Sequence, residues 1–312
     1  MPDMPAAEVE ITTGSIRHLL RTQARETLGD AVDDPLRKVA QGWDNEVWRL
    51  GEAFAVRLPR RGLAAPLIVN EQRVLPTLAA LLAGSGLSLP VPVVAGRPDD
   101  TFLWHWSVVA WADGDRGLDI PRARRRGWAR PLAHALRALH VPAPADHPVN
   151  PVRGVPLVQR DAAFRERLDG LIAVQALTGP TVQTLTAHWD AGLRASAWPG
   201  RPVWIHGDLH PGNLVASGPV LRGVIDFGDV TAGDPAYDLA VGWLAFDADG
   251  RRDFDRALDG AYDRATLVRA KAWASAVAVI LLAHSDDNPD YARLGTETAE
   301  ELGADSPTWP AG

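Results

Sequence analysis

The sequence contains no cysteine, and only two of its 32 basic side chains are lysines, Lys38 and Lys271. The absence of cysteine excludes disulfides, thiolate nucleophiles and cysteine-ligated zinc sites. A net charge of −7 gives no overall excess of positive charge for binding phosphates, which argues against a general nucleic-acid binder. The acidic balance is instead compatible with a cationic substrate.

Long apolar runs are also missing. The longest, residues 272–283, is shorter than the roughly 18 residues of a membrane span, and it predicts a buried helix. Residues 1–14 lack the apolar core of a signal peptide, so we expect a cytoplasmic protein with no membrane partner. There is neither a Walker A sequence nor a G-x-G-x-x-G loop, so any nucleotide would need another kind of site.

The first third of the chain predicts a small sheet. Alternating apolar residues and glycine-containing turns indicate five short antiparallel strands, at 37–41, 47–50, 54–58, 92–96 and 102–111. Helical spacing predicts a helix at 15–28 and another at 66–82, which Pro76 kinks or divides. Five strands with one helix after the third is the order of a protein-kinase amino-terminal lobe.

Beyond residue 120 the pattern becomes helical. One short strand is predicted at 203–205, and a hairpin at 213–215 and 222–225. The arginine run at 122–126 is interpreted as a solvated helix face. Helices are predicted at 122–139, 157–176, 179–196, 235–246, 251–262, 265–284 and 290–302.

We therefore expect an α+β, protein-kinase-like bilobal fold. Its smaller amino-terminal lobe, residues 1–111, would bind nucleotide with a five-stranded antiparallel sheet and one helix. Its larger carboxy-terminal lobe, residues 112–312, would be mostly helical, and would hold the catalytic and acceptor-binding groups.

Two motifs carry the chemistry: HGDLHPGN at 206–213 and IDFG at 225–228. Their spacing is close to that of the protein-kinase catalytic loop. Asp208 is the candidate catalytic base, because a hydroxyl that attacks phosphorus needs an oxygen to orient it and take its proton. Asn213 and Asp226 are candidate magnesium ligands, since magnesium prefers hard oxygens and keeps several waters. Taken singly, each could instead be a turn residue or a cap.

The histidines of the first motif have two interpretations. His206 and His210 lie four residues apart, which on a helix would suggest zinc, but the neighbouring glycines and Pro211 disfavour a helix. His206 is therefore predicted to brace the loop through a hydrogen bond. Asp238 lies one turn into the next predicted helix and faces back toward its start. Aspartates crowd the stretch from Asp226 to Asp238, and some of them need a cation or backbone donors nearby.

Candidate nucleotide-binding residues lie on the predicted sheet. Arg57 on the third strand could hold phosphates while Glu71 on the next helix fixes its direction; otherwise both are surface charges. The turn at 41–45 contains Gly42 and Asn45, and its backbone N–H groups could cover the phosphates. A plain hairpin turn is an equal interpretation.

With these motifs, and DPAYDLA at 234–240, the chain resembles the aminoglycoside phosphotransferase family of small-molecule kinases. The family shares the protein-kinase-like fold, and the likeness covers nearly the whole chain. The resemblance implies four roles: Asp208 as base, Asn213 and Asp226 as magnesium ligands, and Glu71 as partner of the strand-three cation.

The resemblance also bears on the nucleotide. It implies that the backbone near Val109 and Trp111 receives the purine. The family usually has lysine on strand three, whereas this chain has Arg57. An arginine there resembles the macrolide phosphotransferase branch, whose members favour GTP, so the expected donor is ATP or GTP with Mg²⁺.

We therefore expect a kinase that moves the γ-phosphate of ATP or GTP to a hydroxyl of a small molecule. The expected acceptor is an antibiotic, and the expected role is antibiotic resistance. An aminoglycoside is the first choice, because ten aspartates against three arginines at 226–263 would suit a polycation. A macrolide is second, and a metabolic amino alcohol or sugar is third. The alternatives from other classes are a non-catalytic nucleotide-binding module and a histidine-ligated metal hydrolase. The protein would be a monomer or a homodimer.

Overall fold

The computed structural model describes residues 6–285 and 288–304. Its first part is one antiparallel sheet with strand order β1-β2-β3-β5-β4. The five strands are β1 (Leu36–Gln41), β2 (Asn45–Leu50), β3 (Phe54–Pro59), β4 (Pro92–Gly96) and β5 (Trp106–Ala110). The predicted five-stranded sheet is confirmed, although the fifth strand begins at Trp106 and not at residue 102.

Two short helices precede this sheet in the sequence, and a longer one interrupts it. A capping box between Thr12 and Ser15 starts α1 (Thr13–Leu19). A π-helical turn then leads into α2 (Arg25–Leu28). Between β3 and β4 lies α3 (Ala65–Leu82), which runs through Pro76 without dividing.

The rest of the chain is mostly helical. The helices are α4 (Ala129–Leu139), α5 (Asp161–Ala173), α6 (Gly179–Arg194), α7 (Ala236–Leu239), α8 (Val241–Ala245), α9 (Ala248–Leu258), α10 (Arg264–His284) and α11 (Pro289–Ala304). Two small antiparallel sheets lie among them. One joins β6 (Asp115–Arg116), β8 (Leu214–Ser217) and β9 (Val220–Val224), and the other joins β7 (Val203–Ile205) and β10 (Thr231–Gly233). The predicted α+β architecture is confirmed.

Several predicted helix bounds differ from the structure by a few residues, and the largest error is at the start of α4. The helix predicted at 122–139 begins only at Ala129, after two short 3₁₀ turns. The arginine run at 122–126 is only partly exposed, so the predicted solvated helix face was wrong. Arg125 is 2% exposed and donates to the Ile120 carbonyl, while Arg122 donates to the Trp243 and Phe246 carbonyls. Burial lowers the pKa of Arg125 to about 10.

Helix α10 is the centre of the helical part and packs against α5, α6, α7 and α11. Its length and composition would allow it to cross a membrane, but 56% of its most apolar window is buried inside the fold. A core helix of a helical bundle has the same composition, because it is apolar on several sides.

Helix α3 packs against both parts of the fold, contacting β4 and β5 of the sheet and α4 of the helical part. One core lies under the sheet and includes Val56 and Val108. The larger core of the helical part also takes in Val74 and Leu78 from the second half of α3. Because α3 belongs to both parts, it fixes Glu71 near the cleft between them. The lobe boundary at residue 111 stays a prediction. Parts of the two predicted lobes lie outside the described residues, namely 1–5, 286–287 and 305–312.

Candidate active site

The HGDLHPGN loop begins where β7 ends, at the edge that pairs with β10. Gly207 has a φ of +85°, in the region that favours glycine. A Cβ at this position would lie 2.3 Å from the Asp229 carbonyl oxygen. The loop therefore needs glycine both for its backbone angle and for this close approach, and that contact fixes the position of Asp208, the next residue.

Asp238, at the start of α7, anchors the same loop. Its carboxylate accepts from the backbone N–H of His206 at 2.7 Å and from that of Gly207 at 3.1 Å. The side chain is fully buried, and His140 Nε2 lies 3.3 Å from it. The other ring nitrogen of His140 is 2.7 Å from the Tyr262 hydroxyl. These are the backbone donors that the acidic stretch was predicted to need.

His206 braces the loop from inside. Its Nδ1 accepts from the Asp208 backbone N–H at 3.2 Å, so the proton is on Nε2, which donates to the Ile225 carbonyl at 3.0 Å. His210 Nδ1 accepts from the Gly212 backbone N–H at 3.0 Å. With both nitrogens of His206 engaged by protein groups, the pair lacks the lone pairs that a zinc site needs.

Asn213 and Asp226 come together through the β8–β9 hairpin. The Ile225 backbone N–H donates to the Asn213 carbonyl at 2.9 Å, and Asn213 Nδ2 donates to the Asp208 carbonyl at 2.8 Å. Asp226 adopts a φ of +62°, a left-handed conformation uncommon for residues other than glycine, and its side chain is 53% exposed. One amide oxygen and one carboxylate are hard donors, so this pair fits Mg²⁺ when nucleotide phosphates and waters complete its shell.

Arg57 of β3 lies beside this pair, as does Glu71 of α3. Arg57 Nη1 is 2.5 Å from Glu71 Oε2, and its Nη2 is 3.3 Å from Asp226 Oδ1. Burial alone would lower the pKa of Arg57, but the two carboxylates outweigh it and raise the pKa. The charged guanidinium therefore joins the sheet, α3 and the IDFG motif at a single point.

The other predicted nucleotide-binding residues lie on the same sheet. Gly42 donates its N–H to the Asn45 carbonyl at 2.9 Å, which is the bond of a plain hairpin turn, while the carbonyl of Gly42 accepts from Arg60 at 2.9 Å. Trp111 donates its N–H to the Ala53 carbonyl at 2.8 Å, so a purine would have to bind other backbone groups between Val109 and Trp111.

Arg153 is a site residue that the sequence analysis missed. Its Nη2 is 3.1 Å from Asp208 Oδ1, its Nε is 3.3 Å from Asp229 Oδ2, and its Nη1 donates to the Tyr237 hydroxyl. Burial would raise the pKa of Asp208, but Arg153 and the nearby histidines hold it well below its usual range. Burial and the Asp208 carboxylate raise the pKa of Tyr237 to about 12, so its hydroxyl stays protonated at neutral pH.

No sequence signal marks Arg153, because it lies 55 residues before Asp208 in an irregular loop. His140 was missed for a similar reason, since it follows the last turn of α4 and meets Asp238 only through folding.

Comparisons with known proteins found a matching family model and two curated relatives. A model of the phosphotransferase enzyme family, APH, matches residues 35–276. A curated homoserine kinase from Gluconacetobacter diazotrophicus is 32% identical over 289 residues, covering 83% of this chain and 79% of that protein. A homoserine kinase from Beijerinckia indica subsp. indica is 30% identical over 188 residues, covering 55% of this chain and 53% of that protein.

Solved structures agree on the fold. The GDP and kanamycin complex of APH(2″)-IIIa has a TM-score of 0.66 at 18% identity, covering 93% of this chain and 98% of that one. A macrolide 2′-phosphotransferase from Brachybacterium faecium has a TM-score of 0.54 at 20% identity, covering 84% and 91%. At these identities the likeness concerns the fold, and it confirms the expected kinase-like architecture.

Proposed function

Since the chain belongs to the phosphotransferase enzyme family, we propose that it transfers the γ-phosphate of ATP or GTP to a hydroxyl of a small molecule in the cytoplasm. One observation carries the proposal. Asp208, Asn213 and Asp226 lie close together, next to the buried Arg57–Glu71 ion pair. A loop with only a structural role would not need a base, two hard oxygen donors and a cation able to bind phosphate in the same place.

Each residue has a role in this proposal. Asp208 orients the acceptor hydroxyl and takes its proton as the bond to phosphorus forms. Asn213 and Asp226 hold Mg²⁺, which supplies charge neutralisation for the phosphates. Arg57 binds the donor phosphates, and Glu71 fixes the direction of its guanidinium. His206 and Asp238 hold the loop that presents the base.

The acceptor we favour is a small metabolic hydroxy compound of the homoserine kind. The curated relatives with about a third of their residues identical are homoserine kinases. Six of the ten carboxylates of the acidic stretch at 226–263, which favoured an aminoglycoside, already pair with arginines, and this weakens the attraction of the stretch for a polycation. Asp234 pairs with Arg269, Asp238 accepts from backbone, and the remaining eight also have polar partners.

A transfer assay tests the proposal. The purified protein is incubated with Mg²⁺ and γ-labelled ATP or GTP, together with L-homoserine, kanamycin or a macrolide. We expect label in the hydroxy amino acid, no transfer without Mg²⁺, and loss of transfer in Asp226→Ala. Preferred labelling of either antibiotic would reverse our order of acceptors. Nucleotide binding with no transfer to any acceptor would favour the non-catalytic module, and stoichiometric zinc would favour the metal hydrolase.

A further inference from the structure

Arg153 places a second guanidinium against the candidate catalytic base. Its three nitrogens each contact a different side chain, those of Asp208, Asp229 and Tyr237. The side chain is 22% exposed, so it borders the cleft without being free in solvent. These contacts use three of the five N–H donors of a guanidinium, so it retains the capacity to bind a further anionic group.

The loop that carries Arg153 is built to aim it. Asn150 Oδ1 accepts from the backbone N–H groups of Val152 and Arg153, both at 3.0 Å, and Asn150 Nδ2 donates to Asp229 at 2.8 Å. Gly154, with a φ of +67°, packs its backbone onto β10, where a Cβ on Gly233 would lie 2.4 Å from the Gly154 carbonyl oxygen. The backbone on both sides of Arg153 is therefore fixed, and this limits where its guanidinium can lie.

Arg153 approaches the base from the helical part of the chain. On the donor side, Arg57 contacts Asp226, the proposed magnesium ligand. The partners of Arg153 are instead Asp229 and Tyr237, which belong to the helical part of the chain. Because Arg153 Nη2 lies 3.1 Å from Asp208 Oδ1, an acceptor whose hydroxyl reaches Asp208 comes close to this guanidinium.

From this placement we propose that Arg153 is an acceptor-specificity residue, which binds the carboxylate of a small hydroxy acid while its hydroxyl meets Asp208. A guanidinium presents paired N–H donors that match the two oxygens of a carboxylate. The inference rests on the proposed function and deepens it by assigning the recognition of the acceptor.

A matched pair of acceptors tests this assignment. L-homoserine and L-homoserine amide have the same hydroxyl and ammonium groups, but the amide has no carboxylate. We measure kcat/KM for both in the wild type, Arg153→Met and Arg153→Lys. The ratio of the two values cancels any effect that Arg153 has on Asp208, because that effect is common to both acceptors.

We expect the wild type to prefer the acid, and Arg153→Met to lower the acid-to-amide ratio by about 10- to 100-fold, mainly through KM for the acid. Arg153→Lys keeps the charge but loses the fork, so its ratio should lie between the two. Arg137→Met is the control, since Arg137 on α4 pairs with Asp259 and not with any site residue. Its ratio should equal that of the wild type.

Two results would overturn the inference and leave the proposed function intact. One is an acid-to-amide ratio in Arg153→Met within threefold of the wild-type ratio, with transfer still detectable. The other is a wild-type preference for an acceptor without any anionic group, such as kanamycin. Absence of transfer to every acceptor would instead refute the proposed function, so the two failures are distinguishable.

Discussion

Gly207→Ala tests whether the loop geometry, and not only the identity of its residues, sets the activity. The new Cβ would lie 2.3 Å from the Asp229 carbonyl oxygen, and an ordinary contact begins near 3.4 Å. Backbone on one side or the other must therefore move by about 1 Å. The φ of +85° adds strain of about 1–2 kcal/mol for a residue with a Cβ. A misplacement of about 1 Å at a reacting group can lower the rate about 100-fold.

Gly218→Ala is the matched control, because Gly218 also has a positive φ, +55°, but nothing lies within 4 Å of its Cβ position. Gly218→Ala should lose about 1–2 kcal/mol of stability in urea unfolding. Gly207→Ala should lose more because of the contact with Asp229, and only Gly207→Ala should lose kcat, by about 100-fold. The reasoning would be refuted if the two variants had the same kcat, since the contact with Asp229 would then not position Asp208.

Two further predictions concern the ion pair and a helix cap. Arg57→Met leaves Glu71, which is 1% exposed, without its cation, so the free energy of unfolding in urea should fall by about 3–5 kcal/mol. Arg57→Lys should lose less stability but raise the nucleotide KM about tenfold. Equal effects of the two substitutions would contradict the pairing. Asp263 caps α10 through the Thr266 N–H at 2.7 Å, so Asp263→Ala should cost about 1 kcal/mol at pH 7. Hydrogen bonds from the Thr266 side chain and backbone lower the pKa of Asp263 in the folded protein. The ionised carboxylate therefore stabilises the fold at pH values above the unfolded pKa, and this stabilisation is lost as pH falls through the folded pKa. The difference between wild type and Asp263→Ala should therefore shrink in unfolding at pH 3, and an undiminished difference would contradict it.

The parts of the fold that the sequence predicted are those with a local cause. Alternation and turn glycines define β2 and β3, and apolar spacing defines α3 and α10, so these elements were predicted within a few residues. β10 was missed because its sequence, TAG, lacks the apolar run that marks β7 (VWI), and it forms by pairing with β7. The helix predicted from residue 122 was wrong because arginine has a good helix propensity, whereas Arg122 and Arg125 are held by carbonyls of other segments.

The candidate site divides in the same way. Asp208, Asn213 and Asp226 lie within one short stretch whose spacing is informative, and the structure brings them together. For Arg57 and Glu71 the sequence left open whether they pair or are separate surface charges, the resemblance favoured the pair, and the two residues form an ion pair. Arg153 could not be predicted, because its position depends on the packing of its loop against β10.

The central claim is that Asp208 activates the acceptor hydroxyl. The most direct measurement is the rate of Mg²⁺-dependent transfer from γ-labelled nucleotide in Asp208→Ala and the wild type, with nucleotide affinity measured in parallel. The account predicts that transfer falls by at least about 100-fold while nucleotide affinity is kept. Transfer by Asp208→Ala within threefold of the wild type would contradict it.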